Sequence, residues 1–287
     1  MYSTPWMSDI VVGTMRWGQW GAKFSTEAYE RMIAHALELG MTTFDHADIY
    51  GGHTTETEFG QALKLHPEWR GQMELVTKCG IYQVCENKPG YYIKAYDSSK
   101  EHILRSAEDS LRNLQTDYID VLLLHRPDVL MDADEIGEAF EELYRSGKVR
   151  SFGVSNFTPS QINMLQKVVP IGVHQIEISV ADVSSFDDGR LDQCNLDNIV
   201  PMAWSPLGGG TLKPEVMTVL EKLGAEFGIT PHATALAWLM QHPAGILPVV
   251  GTSKIENLTA AKTALGIQFD RQQWYEVYQA ATGKRLP

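Results

Sequence analysis

Short apolar runs alternate with longer amphipathic segments along almost the whole chain. The runs are rich in valine, isoleucine and threonine, which is typical of β-strands, and apolar residues recur between the runs at helical spacing. Eight runs are predicted to be strands, at residues 10–13, 42–45, 74–78, 119–125, 149–154, 173–178, 199–204 and 246–250. The pattern therefore predicts that strand and helix alternate throughout.

Capping signals mark where several of the intervening helices begin. Ser98 and Glu101 have the spacing of a capping box at the start of a helix predicted over 99–114. Thr158 and Gln161 have the same spacing at the start of a later helix. These signals place the helix starts just after the ends of the strands.

Strands that alternate with helices over short connections lie parallel, and eight of them can close into a barrel without a free edge. The predicted fold class is α/β: a single (β/α)8 TIM barrel over residues 1–287, with an additional C-terminal helix over 270–281. An open doubly wound sheet is the alternative. It is disfavoured because no GxGxxG follows the first strand and the glycine-rich segments come late.

The charge of the chain limits its partners. The formal net charge of the 287 residues is -12, and the lysines and arginines are scattered. Nucleic acid and anionic membranes are therefore not expected partners. A polyphosphate cofactor would need a local basic clamp and helix N-termini to offset this negative charge.

The three cysteines form no CxxC pair and no disulfide pattern, which fits a reducing compartment. The first residues lack the basic and apolar regions of a signal peptide, and no apolar run has the length of a membrane span. We expect a cytoplasmic protein. The sequence predicts no oligomeric state.

Four polar residues stand at the ends of neighbouring predicted strands or just after them: Asp45, Tyr50, Lys78 and His125. In a barrel the carboxyl ends of the strands meet at one face, where active sites are built. Each residue alone could be an ordinary packed polar side chain or part of a structural ion pair. The combination favours chemistry, and we expect the four side chains to converge.

The residue types indicate an acid catalyst. A tyrosine has an ordinary pKa of about 10, and a neighbouring ammonium lowers this pKa. Lys78 is expected to lower the pKa of Tyr50, and Asp45 is expected to hold Lys78 charged and oriented. His125 could polarise a carbonyl oxygen or assist the proton transfer. An acid that protonates a carbonyl oxygen completes a reduction only if a hydride source lies at the same site.

Residues after the later strands are suited to a nicotinamide cofactor. Ser155, Asn156 and Gln175 can hydrogen-bond a carboxamide, and the indole of Trp204 can stack on a flat heteroaromatic ring. Glycines in the next loop allow a pyrophosphate to approach the backbone, and a Lys254 ammonium suits a ribose 2′-phosphate. The residues assigned to these phosphates are Ser205, Pro206, Leu207, Gly208, Gly210, Gly251, Thr252, Ser253 and Lys254.

The sequence resembles the aldo-keto reductase superfamily through FDHADIYGG, LVTKCG, LLLHRPD, FGVSNF, HQIEIS, WSPLGGG and VVGTSK, in family order. The resemblance covers essentially the whole chain, and the ordered set is specific although no single motif is. Within the superfamily, the segments HADIYGG, LMDADE, SGKVRSFGVSNFTP and MAWSPLGGG look most like the bacterial YdhF-type oxidoreductases.

The resemblance implies reduction of an aldehyde or ketone by NADPH, with Tyr50 as general acid and His125 orienting the carbonyl. It also implies that Gly13 and Thr14 line the floor of the site near the cofactor. One departure concerns the helix after the eighth strand, where many relatives have Arg and then Glu-Asn. This chain has Asn257, Ala260 and Ala261 there, which weakens the expected adenine and 2′-phosphate contacts. NADPH is the predicted cofactor, and NADH stays open.

Other functions fit some of the same residues. Lys78 could be the nucleophile of a Schiff-base lyase, although a paired carboxylate would keep its amine protonated. A metal hydrolase could use Asp45, His46, Asp48 and His125, although the chain has no HxH pair. A regulatory subunit could bind nicotinamide with little turnover. The substrate is not predicted; an aromatic mouth is suggested by Trp17, Trp20, Tyr82 and Phe186.

Overall fold

A computed structural model describes residues 6–286 and gives the predicted barrel. The strands, in chain order, are β1 (Val11–Gly13), β2 (Thr43–Asp45), β3 (Glu74–Cys79), β4 (Ile81–Tyr82), β5 (Ala95–Tyr96), β6 (Ile119–Leu124), β7 (Val149–Ser155), β8 (Val173–Glu177), β9 (Val200–Trp204) and β10 (Leu247–Val250). Eight of them are parallel and close in the order β1-β10-β9-β8-β7-β6-β3-β2. The (β/α)8 fold class is confirmed. β4 and β5 form a separate antiparallel hairpin, which the sequence did not predict.

Helices surround the barrel. In chain order they are α1 (Thr26–Glu38), α2 (Tyr50–His53), α3 (Thr55–Leu65), α4 (Lys100–Leu114), α5 (Ala133–Arg145), α6 (Pro159–Leu165), α7 (Arg190–Asp197), α8 (Pro214–Phe227), α9 (Pro231–Met240), α10 (Ile255–Lys262) and α11 (Arg271–Thr282). None of the helices in the described part of the chain is long and apolar enough to cross a membrane.

The barrel strands are buried on both faces, as expected of a parallel sheet covered by helices. All six residues of β6 are buried. Val121 and Leu123 belong to the cluster inside the barrel, whereas Leu122 and Leu124 pack outward with Phe140 of α5. This alternation fixes the face of each strand and so decides which polar residues reach the carboxyl end of the interior.

Two capping predictions differ in outcome. The Thr158–Gln161 capping box at the start of α6 is confirmed. The prediction that Ser98 caps α4 is wrong, because Ser99 is the capping residue and its hydroxyl accepts from the His102 backbone N–H at 3.4 Å. Ser98 instead donates its backbone N–H to the carboxylate of Asp128 at 3.1 Å, which ties the start of α4 to the loop after β6.

The predicted tail helix is confirmed as α11, which packs outside the barrel. Trp274 of α11 stacks on Trp238 of α9 with 5.0 Å between ring centroids, and each indole N–H donates to the other residue's backbone carbonyl. Phe186 joins this cluster, 5.5 Å from Trp238. Phe186 is therefore packing in an outer aromatic cluster, and its suggested place at the mouth is wrong.

Candidate active site

The ammonium of Lys78 is the centre of a buried polar cluster at the carboxyl ends of the strands. Its Nζ donates to Asp45 Oδ1 at 2.8 Å and Oδ2 at 2.9 Å, and to the Tyr50 hydroxyl oxygen at 3.0 Å. The backbone oxygen of His46 accepts at 2.6 Å. The side chains of Lys78 and Asp45 are 0% and 4% exposed, so water screens this ion pair only weakly.

Two local features place these groups. Asp45 ends β2, in register with the β3 residue two positions before Lys78, so both side chains leave the same face of the sheet. Tyr50 begins the short helix α2, in which Gly51 and Gly52 have left-handed φ values of 64° and 69°. Glycine takes such values without strain, so the chain can turn tightly here and fold Tyr50 over the ammonium.

Asp45 has further neighbours, one from across the barrel and two from the adjacent strand β1 and its end. Gln175 of β8 donates its amide N–H to Asp45 Oδ1 at 2.8 Å, and Thr14 donates its hydroxyl to the Asp45 backbone oxygen at 2.9 Å. Gly13 pairs with Asp45 in the ladder, and a Cβ at Gly13 would lie only 3.2 Å from a neighbouring side-chain carbon. The structure thus places Gly13 and Thr14 beside the backbone of Asp45 and engages the amide nitrogen of Gln175 with the Asp45 carboxylate.

His125 follows β6 directly and lies next to Tyr50. Its backbone N–H donates to the Cys79 carbonyl at 2.9 Å, which extends the β3–β6 ladder by one residue. The imidazole and phenol rings meet edge to face, with 6.1 Å between centroids and 78° between planes. The Nδ1 atom of His125 has no hydrogen-bond partner within residues 6–286. The structure therefore brings all four predicted catalytic side chains into one cluster.

The pKa of Tyr50 departs from the expectation. Burial raises the pKa of Tyr50 above its ordinary value, and the positive charge of Lys78 only partly opposes this effect. The expected sign of the Lys78 contribution is correct, but the expected net lowering is wrong. The phenol is therefore protonated near neutral pH, as a proton donor must be.

Lys78 and His125 differ in their protonation state. Burial alone would lower the pKa of Lys78, but the charge of Asp45 and the hydrogen bonds to Asp45 and Tyr50 raise it overall. Burial, reinforced by the positive charge of Lys78, holds the pKa of His125 well below 6.5. At neutral pH the site therefore contains an ammonium and a neutral imidazole.

Three strand ends meet where a carboxamide was predicted to bind. Trp204 Nε1 donates to Asn156 Oδ1 at 3.0 Å, and Asn156 Nδ2 donates to Ser155 Oγ at 2.8 Å. Asn156 has a left-handed φ of 59°, and its backbone N–H donates to the Gln175 carbonyl at 3.0 Å. The four residues thus form one hydrogen-bonded rim, with amide and hydroxyl groups beside a flat indole.

The two predicted phosphate loops leave the same face of the barrel. After β9, Ser205 has a φ of 49°, and a 3-10 turn over Gly208–Gly210 follows Pro206 and Leu207. After β10, Thr252 Oγ1 accepts from the Lys254 N–H at 3.2 Å and from Asn257 Nδ2 at 3.0 Å. A Cβ on Gly209, Gly210 or Gly251 would meet no atom within 4 Å, so the backbone is open there.

The suggested aromatic mouth is only partly correct. Trp17 is fully buried and donates its indole N–H to the Thr252 carbonyl at 2.7 Å, so it supports the loop after β10 from below. Tyr82 lies in β4 and donates its hydroxyl to Asp97. Trp20 is 39% exposed and its ring is 6.2 Å from that of Tyr50. Of these, Trp20 is the aromatic side chain beside the catalytic cluster.

The sequence profile of the Aldo/keto reductase family matches residues 9–281. The chain belongs to this family. Oxidoreductase YdhF of Escherichia coli is 44% identical over 99% of this chain and 96% of its own length. A 6-dehydroglucose reductase of Agrobacterium fabrum is 42% identical over 98% and 96%. The suggested resemblance to YdhF-type oxidoreductases is confirmed.

Solved structures agree with this assignment. A crystal structure of an aldo/keto reductase from Klebsiella pneumoniae in complex with NADP and acetate superposes with a TM-score of 0.79 at 26% identity. It covers 95% of this chain and 91% of its own. The present aldo/keto reductase is therefore an oxidoreductase of a family in which nicotinamide cofactors are bound.

Two neighbours of the cluster had no part in the predicted reductase site: Arg126, which was not singled out in the sequence, and His46, which was considered only as a possible metal ligand. The Nη1 atom of Arg126 in this aldo/keto reductase donates to the His125 carbonyl at 2.9 Å and to Ser155 Oγ at 3.3 Å. Its guanidinium lies 5.8 Å from the Trp204 ring centroid, and it forms no ion pair within the described residues. His46 gives its carbonyl to Lys78, and burial lowers its imidazole pKa to about 3. Arg126 directly follows His125 in the sequence and His46 directly follows Asp45, and this adjacency is the signal that could have placed them beside the cluster.

The geometry also bears on the alternative chemistries. The raised pKa of Lys78 keeps its amine protonated and therefore non-nucleophilic, which disfavours a Schiff base. In residues 6–286, no three histidine, cysteine, aspartate or glutamate side chains are grouped as metal ligands.

Proposed function

We propose that this aldo/keto reductase reduces an aldehyde or ketone to an alcohol with NADPH, and that Tyr50 donates the proton. The observation that carries the proposal is the hydrogen bond of 3.0 Å from Lys78 Nζ to the Tyr50 oxygen, with Asp45 holding the ammonium from below. A phenol, a buried ammonium and an imidazole at one barrel mouth form a proton donor with a built-in counter-charge.

The direction of the hydrogen bond makes Tyr50 a donor. Because Lys78 donates to the phenolic oxygen, the phenolic proton is left to point at a substrate oxygen. When this proton leaves, the negative charge forms 3.0 Å from the ammonium, in a site that water screens weakly. Lys78 therefore stabilises the negative charge that develops on Tyr50 in the transition state more than the neutral phenol of the starting state, which is what catalysis requires.

His125 is assigned to the carbonyl. Its low pKa keeps the imidazole neutral, so the ring can donate a hydrogen bond without competing with Tyr50 as an acid. The edge-to-face contact of the two rings, with 6.1 Å between centroids, supports a shared target for the two donors. A carbonyl oxygen held by both would be oriented and polarised.

The residues present fit a nicotinamide cofactor. The rim of Ser155, Asn156 and Trp204 offers polar groups and a flat ring, and the loops after β9 and β10 expose open backbone. When bound, the nicotinamide supplies the hydride. Lys254 is exposed at the start of α10, where helix N–H groups and an ammonium together favour a phosphate. These features support NADPH, with NADH as the alternative.

The substrate we propose to test first is an aldehyde carried by a sugar. The relative from Agrobacterium fabrum is described as a 6-dehydroglucose reductase. In this chain, Arg126 offers unpaired N–H donors beside His125, and Trp20 offers an exposed ring beside Tyr50. Guanidinium donors and an aromatic face together suit a molecule with several hydroxyl groups.

The test is NADPH oxidation with simple aldehydes, ketones and 6-dehydroglucose, in the wild type and in Tyr50→Phe. Proton donation by a positioned side chain contributes about 100-fold to 10,000-fold, so we expect kcat to fall by roughly that factor. The Kd for NADPH should stay within about twofold, because the hydroxyl does not hold the cofactor. Turnover of Tyr50→Phe near the wild-type rate would overturn the proposed role.

A further inference from the structure

A cavity of about 330 Å³ lies apart from the catalytic cluster, between α3, α4 and the β4–β5 hairpin. None of Asp45, Tyr50, Lys78 and His125 lines it. Its inner wall includes Asp48 and His53, which lie on either side of Tyr50 in sequence, and Glu56 of α3. A volume of this size admits a small organic molecule.

Two cations face the cavity without a carboxylate partner. Lys88 forms no ion pair within residues 6–286, and the one hydrogen bond of Arg105 in the described residues joins its Nη2 to the imidazole of His102 at 3.1 Å. A third cation, Arg112, is already paired with Asp109. Lys88 and Arg105 come from the hairpin and from α4, so they approach the cavity from different elements.

The acidic groups of the wall, within the described residues, form no ion pair with these cations. Glu56 is 3% exposed, and its carboxyl accepts from the Thr77 hydroxyl at 2.6 Å and from Asn113 at 3.4 Å. Burial raises the pKa of Glu56 and raises the pKa of Asp48 well above 3.8. Neither carboxyl lies within ion-pair distance of Lys88 or Arg105 in the described residues, so both cations remain available to an anion.

Two polar atoms of the wall also lack partners. Asp48 Oδ1 and His53 Nε2 are buried and form no hydrogen bond within the described residues. Burial lowers the pKa of His53 to about 4, so its imidazole is neutral and Nε2 can accept a hydrogen bond. Buried polar atoms are normally satisfied, so these two indicate that a hydroxyl-bearing molecule or water belongs here.

We propose that this cavity binds a small organic anion that carries hydroxyl groups, with its carboxylate or phosphate between Lys88 and Arg105 and its hydroxyls against Asp48 and His53. A carboxylate and a phosphate share the required chemistry: oxygens that accept charge-assisted hydrogen bonds. A neutral polyol lacks the charge, and a simple carboxylate lacks the hydroxyls.

The site is connected to the helix that carries Tyr50. The backbone N–H of Asp48 donates to the Lys78 carbonyl at 3.0 Å, and Asn87 of the hairpin donates to the Gly52 carbonyl of α2 at 2.7 Å. An anion that holds Lys88 would fix the hairpin against α2. We expect binding to change kcat; this consequence rests on the proposed function, whereas binding itself does not.

The test is thermal unfolding in inorganic phosphate and, separately, in glycerate, propionate and glycerol, at constant ionic strength. Lys254→Ala is the background, so that phosphate at the predicted cofactor site does not contribute. We expect the melting temperature to rise with phosphate and glycerate, and the Kd to weaken at least tenfold on adding Lys88→Met or Arg105→Gln. The exposed Arg145→Gln of α5 is the matched control and should change nothing.

Three results would overturn the site: no rise in the Lys254→Ala background, an equal rise after Lys88→Met and Arg105→Gln, or equal binding of glycerate and propionate. Kinetics separate this inference from the proposed function. Glycerate binding that depends on Lys88 in a protein that reduces no carbonyl would contradict the proposed function alone. Carbonyl reduction by a protein that binds no anion would contradict the proposed anion site and leave the proposed function intact.

Discussion

Replacing Asp45 with asparagine keeps the size of the side chain and removes the charge that holds Lys78 protonated. Lys78 is fully buried, so in Asp45→Asn its ammonium loses its counter-ion in a place that water does not reach. Breaking a buried pair in this way costs about 3 to 5 kcal/mol. The protein can limit the cost by releasing the Lys78 proton.

Release of the Lys78 proton limits the loss of unfolding free energy in Asp45→Asn and makes that loss depend on pH. Deprotonating a lysine from its ordinary pKa of 10.5 costs about 5 kcal/mol at pH 7 and about 2 kcal/mol at pH 9, at roughly 1.4 kcal/mol per pH unit. In the wild type the pKa of Lys78 is raised, so its stabilising contribution is fully present below pH 10.5 and is lost only above that value. We therefore expect the destabilisation by Asp45→Asn to shrink by up to about 3 kcal/mol between pH 7 and pH 9.

Urea unfolding of both proteins at pH 7 and pH 9 measures this difference. The matched control is Glu276→Gln, which breaks the exposed pair with Lys222 and should show no such pH dependence. Equal destabilisation at the two pH values, or a loss below about 1 kcal/mol at pH 7, would refute the assignment of Lys78 as an ammonium that depends on Asp45.

Further predictions concern the cofactor, the pH profile and the floor of the site. Lys254→Ala should weaken NADPH binding about tenfold or more while leaving NADH nearly unchanged, since one charge-assisted phosphate contact is lost; equal losses in isothermal titration would contradict this assignment. The pH profile of kcat/KM should be flat from pH 6 to 8, because the pKa of His125 lies well below 6.5 and that of Tyr50 above 10; a break in this range would count against both charge states. Gly13→Ala should destabilise by about 1 to 3 kcal/mol in urea unfolding, because its Cβ would lie 3.2 Å from a side-chain carbon, whereas Gly71→Ala meets nothing within 4 Å and is the control.

The barrel could be predicted from the sequence because strands buried on both faces leave continuous apolar runs. Each of the eight predicted strands agrees with the observed one to within one residue at either end. The β4–β5 hairpin could not be predicted, since Ile81–Tyr82 and Ala95–Tyr96 are too short to show alternation. The capping error has a similar cause, because Ser98 and Ser99 are adjacent and only the fold decides which hydroxyl meets the helix.

The sequence predicts which residues meet at the candidate site, but it does not predict the contacts that they make there. Strand ends bring Asp45, Lys78 and His125 to one face whatever the loops do. The reach of Gln175 across the barrel depends on side-chain packing, which no local pattern reports. The net pKa of Tyr50 likewise depends on how far the phenol is desolvated, and burial of Trp17 depends on the aromatic rings around it.

The central claim is that Tyr50 is the proton donor for hydride transfer from a bound nicotinamide. A single-turnover experiment with NADPH that carries deuterium at both C4 positions and a reactive aldehyde, in the wild type and in Tyr50→Phe, tests it most directly. The account predicts deuterium on the alcohol carbon of the wild-type product, and a transfer rate at least about 100-fold lower in Tyr50→Phe at unchanged NADPH occupancy. Equal transfer rates in the two proteins, or no deuterium transfer by the wild type, would contradict it.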